Sequence, residues 1–404
     1  MTGARARQAG ERPTPGTVDF DTAPFLVIWE TTQACDLACL HCRASARPAR
    51  DRWELSTAEA MRLMDSVRGF GHPLFVLTGG DPLKRPDTVS LVEYGSRIGL
   101  RVALTPSGTP LMTPSVLAAL RDAGLARLAV SLDGSTPAIH DGFRGVAGSF
   151  DWTVRMLRAA RELGLSTQVN TTITRHDLND LEPLIELVSG LGIALWSVFV
   201  VVPTGRARRE QLPTADELEA VFHRLYDLST TVPFDIKTTA APFYRRVVLQ
   251  RQRAERRAGA GSDARGPLPG GIGFTLGDGI GRARGVNDGN GFVFVSHRGE
   301  IYPSGFLPLR AGNVRTDDLG TVYRTHELFR ALRDADALGG KCGVCEFRHI
   351  CGGSRARAYA MTGDWLAADP LCAYVPPAWA RTTARDGMSP GHPGDDDLTE
   401  GETA

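Results

Sequence analysis

At 404 residues the chain exceeds one average domain and has room for a barrel-sized core plus a smaller module. Lys+Arg and Asp+Glu both number 46, so no overall field favours nucleic acid or a membrane surface, and neither is expected as a partner. Hydrophobic residues make up 42%, and no apolar run approaches the roughly 20 residues of a membrane span. The amino-terminal arginines are interrupted by Gly and Pro with no apolar stretch behind them, which argues against a signal peptide and for a cytoplasmic protein.

Residues 1–20 are polar and Pro/Gly-rich and read as a disordered arm. The apolar run Phe25-Leu-Val-Ile-Trp29 predicts a first strand, and it leads directly into Cys35-Asp-Leu-Ala-Cys39-Leu-His-Cys42. Three thiolates on one short loop can hold three irons of a cubane cluster and leave the fourth iron without a protein ligand. Zinc, the other reading, prefers four closed ligands and usually pairs cysteines two by two. A capping box at Ser56-Thr-Ala-Glu59 then opens a helix continued by Met61, Met64 and Val67. The strand Pro73–Leu77 runs into Gly79-Gly80-Asp81-Pro82.

Helices over 87–99, 114–124, 150–164 and 178–190 alternate with strands over 101–105, 127–132, 166–173 and 194–201. This alternation implies right-handed βαβ units and a parallel sheet of six strands, too few for a closed eight-stranded barrel. The core spans 21–210. Residues 211–290 read as a helical and flexible linking region: helical over 214–258, with a short strand near Phe234–Lys237 and an Arg/Gly/Pro-rich loop to 271. A hairpin, Phe292–Ser296 with Ile301–Pro303, opens a unit over 291–380 that contains Cys342, Cys345, Cys351 and Cys372. Residues 381–404, with acidic Asp395–Asp397, read as a disordered tail. Clustered cysteines in a cytosolic chain indicate metal ligation rather than a disulfide framework.

Cys35/Cys39/Cys42 at the end of the first strand, followed one βα unit later by Gly79-Gly80-Asp81-Pro82, resembles the radical S-adenosylmethionine (SAM) enzymes. The glycine motif stands where that family carries GGEP, with Asp81 in place of Glu. The resemblance implies an α/β fold built on a partial (β/α)6 barrel with a small carboxyl-terminal auxiliary-cluster domain. It implies a 4Fe-4S cluster on the triad whose open iron is chelated by SAM, and reductive cleavage of SAM to a 5′-deoxyadenosyl radical that abstracts hydrogen from a substrate. A reducing partner such as flavodoxin or ferredoxin would supply the electron. The carbonyls of Gly79, Gly80 and Asp81 would meet the amine of SAM. Ser107, Ser131, Asp133, Asn170 and Gly205-Arg206 all fall at strand ends facing the same mouth. By resemblance Ser131 and Arg144 suit the SAM carboxylate, and Asp133 and Asn170 the ribose. His41 takes the place of the family's usual aromatic and reads as a packing residue.

The spacing Cys342-x2-Cys345-x5-Cys351 with a distant Cys372 does not by itself choose between structural zinc and a second 4Fe-4S cluster. With the hairpin and Gly312-Asn313, it resembles the SPASM/twitch auxiliary modules, which implies the cluster. Ser304 replaces a cysteine that many peptide-modifying relatives place there, so one auxiliary cluster is expected. The run Cys351-Gly-Gly-Ser-Arg355-Ala-Arg357 and Asp369-Pro-Leu-Cys372 resemble the alternative heme-pathway and heme d1 maturation proteins. Arg355 and Arg357 would suit propionate carboxylates if they face the cavity, or else would brace the cluster. The leading expectation is tetrapyrrole side-chain chemistry such as propionate decarboxylation. Radical modification of a ribosomal peptide precursor is the alternative. A non-catalytic iron–sulfur electron carrier or zinc-stabilised binding protein would keep the cysteines without cleaving SAM.

Overall fold

The computed structural model describes residues 18–259, 271–272 and 283–385. Most of the expected amino-terminal arm and of the expected tail lie outside these residues, as does most of the Arg/Gly/Pro-rich loop. The chain runs β1 (Leu26–Glu30), α1 (Thr57–Arg68), β2 (Leu74–Thr78), α2 (Thr88–Arg97), β3 (Arg101–Leu104), α3 (Pro114–Asp122) and β4 (Arg127–Ser131). It continues through α4 (Pro137–Arg144), α5 (Ser149–Glu162), β5 (Thr167–Ile173), α6 (Leu181–Gly190), β6 (Leu195–Val200), α7 (Ala215–Ser229), β7 (Asp235–Thr239) and α8 (Tyr244–Arg257). A two-residue pair, β8 (Gly271–Ile272) with β9 (Ala283–Arg284), precedes β10 (Phe292–Val295), β11 (Glu300–Tyr302) and β12 (Gly312–Asn313). The remainder is helical: α9 (Leu319–Thr325), α10 (Glu327–Arg333), α11 (Gly340–Gly343), α12 (Arg355–Thr362) and α13 (Pro377–Arg385). Helix α13 therefore extends into the stretch expected to be disordered from 381.

The six expected strands are present and parallel, but the sheet is wider than six. Its order is β12-β11-β10-β1-β2-β3-β4-β5-β6-β7. The short strand near Phe234 joins as a seventh parallel strand, Leu195 opposite Asp235 through Phe199 opposite Thr239. The hairpin strand β10 pairs in parallel with β1, Leu26 opposite Phe292 through Trp29 opposite Val295. The auxiliary segment thus adds its strands directly to the barrel sheet.

Successive strand residues point to opposite faces, and the apolar ones separate accordingly. Val27, Trp29, Phe75, Leu77, Val102, Leu128, Val130, Val169, Trp196 and Val198 pack in one core with the helices. Phe25, Leu26, Leu74, Ala103 and Val286 form a second, inward cluster at the amino ends of the strands. That cluster lies away from the carboxyl ends of the strands, where the polar groups gather.

Candidate active site

The cysteine loop leaves β1 and is clamped from three sides. From the strap after β2, the N–H of Gly80 donates to the Thr32 carbonyl at 2.7 Å and that of Asp81 to the Ala34 carbonyl at 2.6 Å. A Cβ at Gly80 would lie 2.4 Å from the Ala34 oxygen, and one at Gly79 2.4 Å from that of Thr32. The glycine pair is therefore required by backbone packed on backbone. From α4, the carbonyls of Phe143 and Arg144 accept from the N–H groups of Leu40 and Ala38 at 3.0 Å each. From the loop after β6, the N–H of Arg206 donates to the Cys42 carbonyl at 3.0 Å and its Nε to the Cys39 carbonyl at 2.9 Å. Gly205 sits there at φ 64°, with the Cys42 and Arg43 carbonyls where a Cβ would be.

Cys35 and Cys39 are buried and Cys42 is half-buried. Each sulfur has a polar neighbour: Ser107 Oγ at 3.3 Å and the Leu37 N–H at 3.3 Å on Cys35, Arg144 Nη1 at 3.6 Å on Cys39, and the Ala46 N–H at 3.4 Å on Cys42. Such neighbours favour thiolates on a metal cluster. Burial pushes the Cys35 thiol up, more than Ser107 and Leu37 pull it down. Among the described residues no three His, Cys, Asp or Glu side chains converge as they would on a single ion. A cubane asks for something else, one thiolate per iron.

Beside the loop lies a recess lined by Leu37, Thr78, Gly79, Gly80, Thr105, Pro106, Ser107, Gly108, Ser131, His140, Arg144 and Thr153. It brings together five of the residues expected to meet SAM: Gly79, Gly80, Ser107, Ser131 and Arg144. Buried Arg144 Nε and Thr153 Oγ1 have no hydrogen-bond partner among the described residues, which leaves two polar groups there for a ligand oxygen. Asp81, Asp133 and Asn170 fall outside the lining. The Asp81 side chain turns inward, capping Leu83 N–H at 3.0 Å and accepting from Thr109 Oγ1 at 2.9 Å. Asp133 is buried, pairs with Arg144 and accepts from the Thr172 N–H at 2.7 Å. Burial works against its charge, but the guanidinium of Arg144 holds its carboxyl below the ordinary range. Its role in the structure is to fix Arg144. Asn170 points into the barrel, where its Oδ1 accepts from Gln168 Nε2 at 2.7 Å. Gly80 offers a carbonyl as expected; Ser107 Oγ lies 3.0 Å from it, and its single hydroxyl hydrogen can go either there or to Cys35.

His41 stacks on Phe143, with centroids 4.1 Å apart and planes 3° from parallel. Its pKa falls to about 3 through burial first and then Arg144, so it is a neutral loop support. Sequence reasoning missed His140. It lines the recess, accepts from the Asp133 N–H at 3.1 Å and has its pKa lowered to about 4, chiefly by burial. The cue was present: Thr136 caps α4, Pro137 occupies its first turn, and i, i+4 spacing puts His140 and Arg144 on one face.

The carboxyl-terminal cysteines share a second recess with Arg246, Lys341, Phe347, Gly352, Gly353 and Tyr374. Burial raises the thiols of Cys345 and Cys351, and that of Cys372 to about 11. Cations surround them. Lys341 Nζ donates to the Cys372 carbonyl, and Arg245 Nη1 donates to the Ile350 carbonyl at 2.9 Å. Arg355 and Arg357 do not face the barrel cavity, which corrects the expectation that they could meet propionates. Arg355 donates to the carbonyls of Trp365 at 2.8 Å and Ala367 at 2.7 Å, and Arg357 forms a fully buried pair with Asp369 at 2.7 Å. They brace the auxiliary segment. Ser304 is buried and hydrogen bonds with Asp288, away from this recess.

This arrangement of barrel, three-cysteine loop and polar mouth is that of a radical SAM enzyme. A model of the Radical SAM superfamily matches residues 29–188, and the chain belongs to that family, whose members bind SAM and a 4Fe-4S cluster. Over 360 residues the chain is 39% identical to an AdoMet-dependent heme synthase of Oleidesulfovibrio alaskensis, covering 89% of each chain. It is 38% identical over 359 residues to one of Methanosarcina barkeri, covering 89% of this chain and 99% of the other. The solved structure of Streptococcus suis SuiB bound to S-adenosylmethionine shares the fold, with a TM-score of 0.65 at 15% identity over 87% of this chain and 78% of that one. The protein is thus an enzyme, and the readings as an electron carrier or zinc-stabilised binding protein fall away. No helix among the described residues is long and apolar enough to cross a membrane.

Proposed function

We propose that the chain decarboxylates propionate side chains of an iron tetrapyrrole, with one SAM-binding cluster on Cys35, Cys39 and Cys42 and one auxiliary 4Fe-4S cluster on Cys342, Cys345, Cys351 and Cys372. The observation that carries the substrate class is the likeness to heme synthases over nine-tenths of the chain. When bound, the cluster and SAM supply a 5′-deoxyadenosyl group able to break an unactivated C–H bond, which side-chain acids and bases cannot do. The chain's own residues bind, orient and exclude water. Ser131, Thr153 and Arg144 are placed for the SAM carboxylate, with Asp133 holding Arg144 in position and His140, kept neutral, closing the recess. Gly79 and Gly80 press the strap onto the cysteine loop. An auxiliary cluster fits the second recess because its four cysteines, Cys342 buried and the other three half-buried, lie beside Arg245, Arg246 and Lys341, cations that would balance an anionic group. Reduction by a flavodoxin- or ferredoxin-type partner completes the proposal.

The test is anaerobic reconstitution with dithionite, SAM and iron coproporphyrin III. The expected result is 5′-deoxyadenosine together with loss of carboxyl groups from the porphyrin. Cys39→Ala should abolish SAM cleavage, whereas Cys345→Ala should retain some cleavage and stop turnover. Equal loss in both variants would contradict the division between an open and a closed cluster. Absence of a Soret shift with iron coproporphyrin III would remove the tetrapyrrole reading and leave a peptide substrate in its place.

A further inference from the structure

The inward faces of β4 to β7 carry one polar row. Ser131 pairs in register with Asn170, Asn170 with Ser197, and Ser197 with Lys237. Residues paired across a parallel sheet share a face, and adjacent strands lie about 4.8 Å apart, so Lys237 stands roughly 14 Å from Ser131 measured along the curved sheet. The SAM recess is at the Ser131 end. Lys237 is at the other.

Only three of the 46 basic residues are lysines. Lys84 pairs with Asp36 at 2.5 Å, and Lys341 donates to the Cys372 carbonyl. Lys237 makes no hydrogen bond or ion pair among the described residues. It is half-buried on the strand face that carries Ser197, in register with it. The charges that act on it are cationic, Arg127 and Arg245, and Asp235 lies two residues before it on the same strand face. Burial, with those two guanidinium groups behind it, lowers its pKa to about 8. An ammonium placed there without an anion is costly to the folded chain. Beside it, Ser197 Oγ and Thr239 Oγ1 lie 3.1 Å apart, and the Phe199 and Phe306 rings form an apolar wall with centroids 6.4 Å apart.

On the tetrapyrrole reading above, we propose that Lys237 is the anion-binding residue of the substrate site and takes a propionate carboxylate remote from the one undergoing reaction, with Phe199 and Phe306 against the macrocycle. An ammonium is a compact point charge suited to a single carboxylate oxygen, and the row from Ser131 to Lys237 separates that anchor from the SAM end.

The test compares wild type, Lys237→Met and Lys237→Arg as reconstituted full-length protein, titrated with iron coproporphyrin III and with its tetramethyl ester and followed at the Soret band. Loss of one charge-assisted contact should weaken binding of the acid by Lys237→Met about tenfold or more, whereas Lys237→Arg stays within about threefold. Ester binding should not distinguish the three proteins, and 5′-deoxyadenosine formed without porphyrin should be unchanged. Lys237→Met should also unfold at a higher temperature, because it removes a half-buried cation that sits near two guanidinium groups. Equal acid binding by wild type and Lys237→Met overturns the assignment alone, as does equal weakening for acid and ester. A wild type with no Soret change for either porphyrin overturns the tetrapyrrole reading and the assignment with it.

Discussion

Gly80 carries a packing demand that its sequence motif does not announce. A Cβ there would lie 2.4 Å from the Ala34 carbonyl oxygen, and no side-chain movement can relieve a clash with backbone. Gly80→Ala should therefore destabilise the chain by about 1–3 kcal/mol and shift the loop that positions Cys35. Iron content after reconstitution and the denaturant midpoint should both fall; normal values for both would show the strap to be looser than described. A glycine pair at a strand end is visible in sequence, but what it approaches is not, because the partner backbone of Thr32 and Ala34 is about fifty residues away in the chain. His140 failed for a different reason. Its helix begins with a readable Thr-Pro signal but is only eight residues long, too short for hydrophobic periodicity to announce it.

Helix α1 is the element most fully legible in advance. Its box is formed as read: Ser56 Oγ accepts from the Glu59 N–H at 3.3 Å, and Glu59 Oε2 accepts from the Ser56 N–H at 2.8 Å. The same carboxylate also meets Arg315 at 2.7 Å, so the cap of α1 is tied to the segment after β12. The hydrogen bond from Arg315, with those from Ser56, lowers the Glu59 pKa to about 2. The folded value is below the ordinary 4.5, so the contribution is fully present above about 4.5 and is lost as pH falls toward 2. Glu59→Gln should cost about 1 kcal/mol near neutral pH, as caps and partly exposed ion pairs do. In paired unfolding curves of the cluster-free chain, the gap from wild type should narrow between pH 4.5 and 2. A constant gap would place the stabilisation elsewhere.

At the scale of the whole molecule, the βα alternation made the partial barrel readable, because each unit folds over a short stretch and leaves its own period. The pairing of β10 with β1 left no such trace. It joins segments 266 residues apart, Leu26 with Phe292, and nothing local in either strand names the other. The join is reinforced at the cysteine loop: Arg43 pairs with Glu30 at 2.8 Å and donates to the Gly305 carbonyl at 3.3 Å, and His297 Nδ1 lies 2.9 Å from Glu30. At the far edge of the sheet, Arg357 donates to the Ala240 carbonyl at 2.9 Å just beyond β7. The auxiliary segment therefore holds both edges of the open sheet. A chain ended at residue 285 should lose cooperative unfolding and aggregate, checked by calorimetry and sedimentation; a soluble, cooperatively folded product would show the barrel to be independent.

The same pairing sets a timetable for synthesis. The 266 residues between the paired ends of β1 and β10 take roughly 13–50 s to make at about 5–20 residues per second. Throughout that interval β1 emerges and finds β2 on one side, while the hydrogen-bonding groups of its other edge have no native partner. A nascent chain in that condition is a target for chaperones that shield strand edges, and slower translation of the last third would lengthen the exposure. The strand that covers this edge of β1 is made only after all seven parallel strands of the barrel.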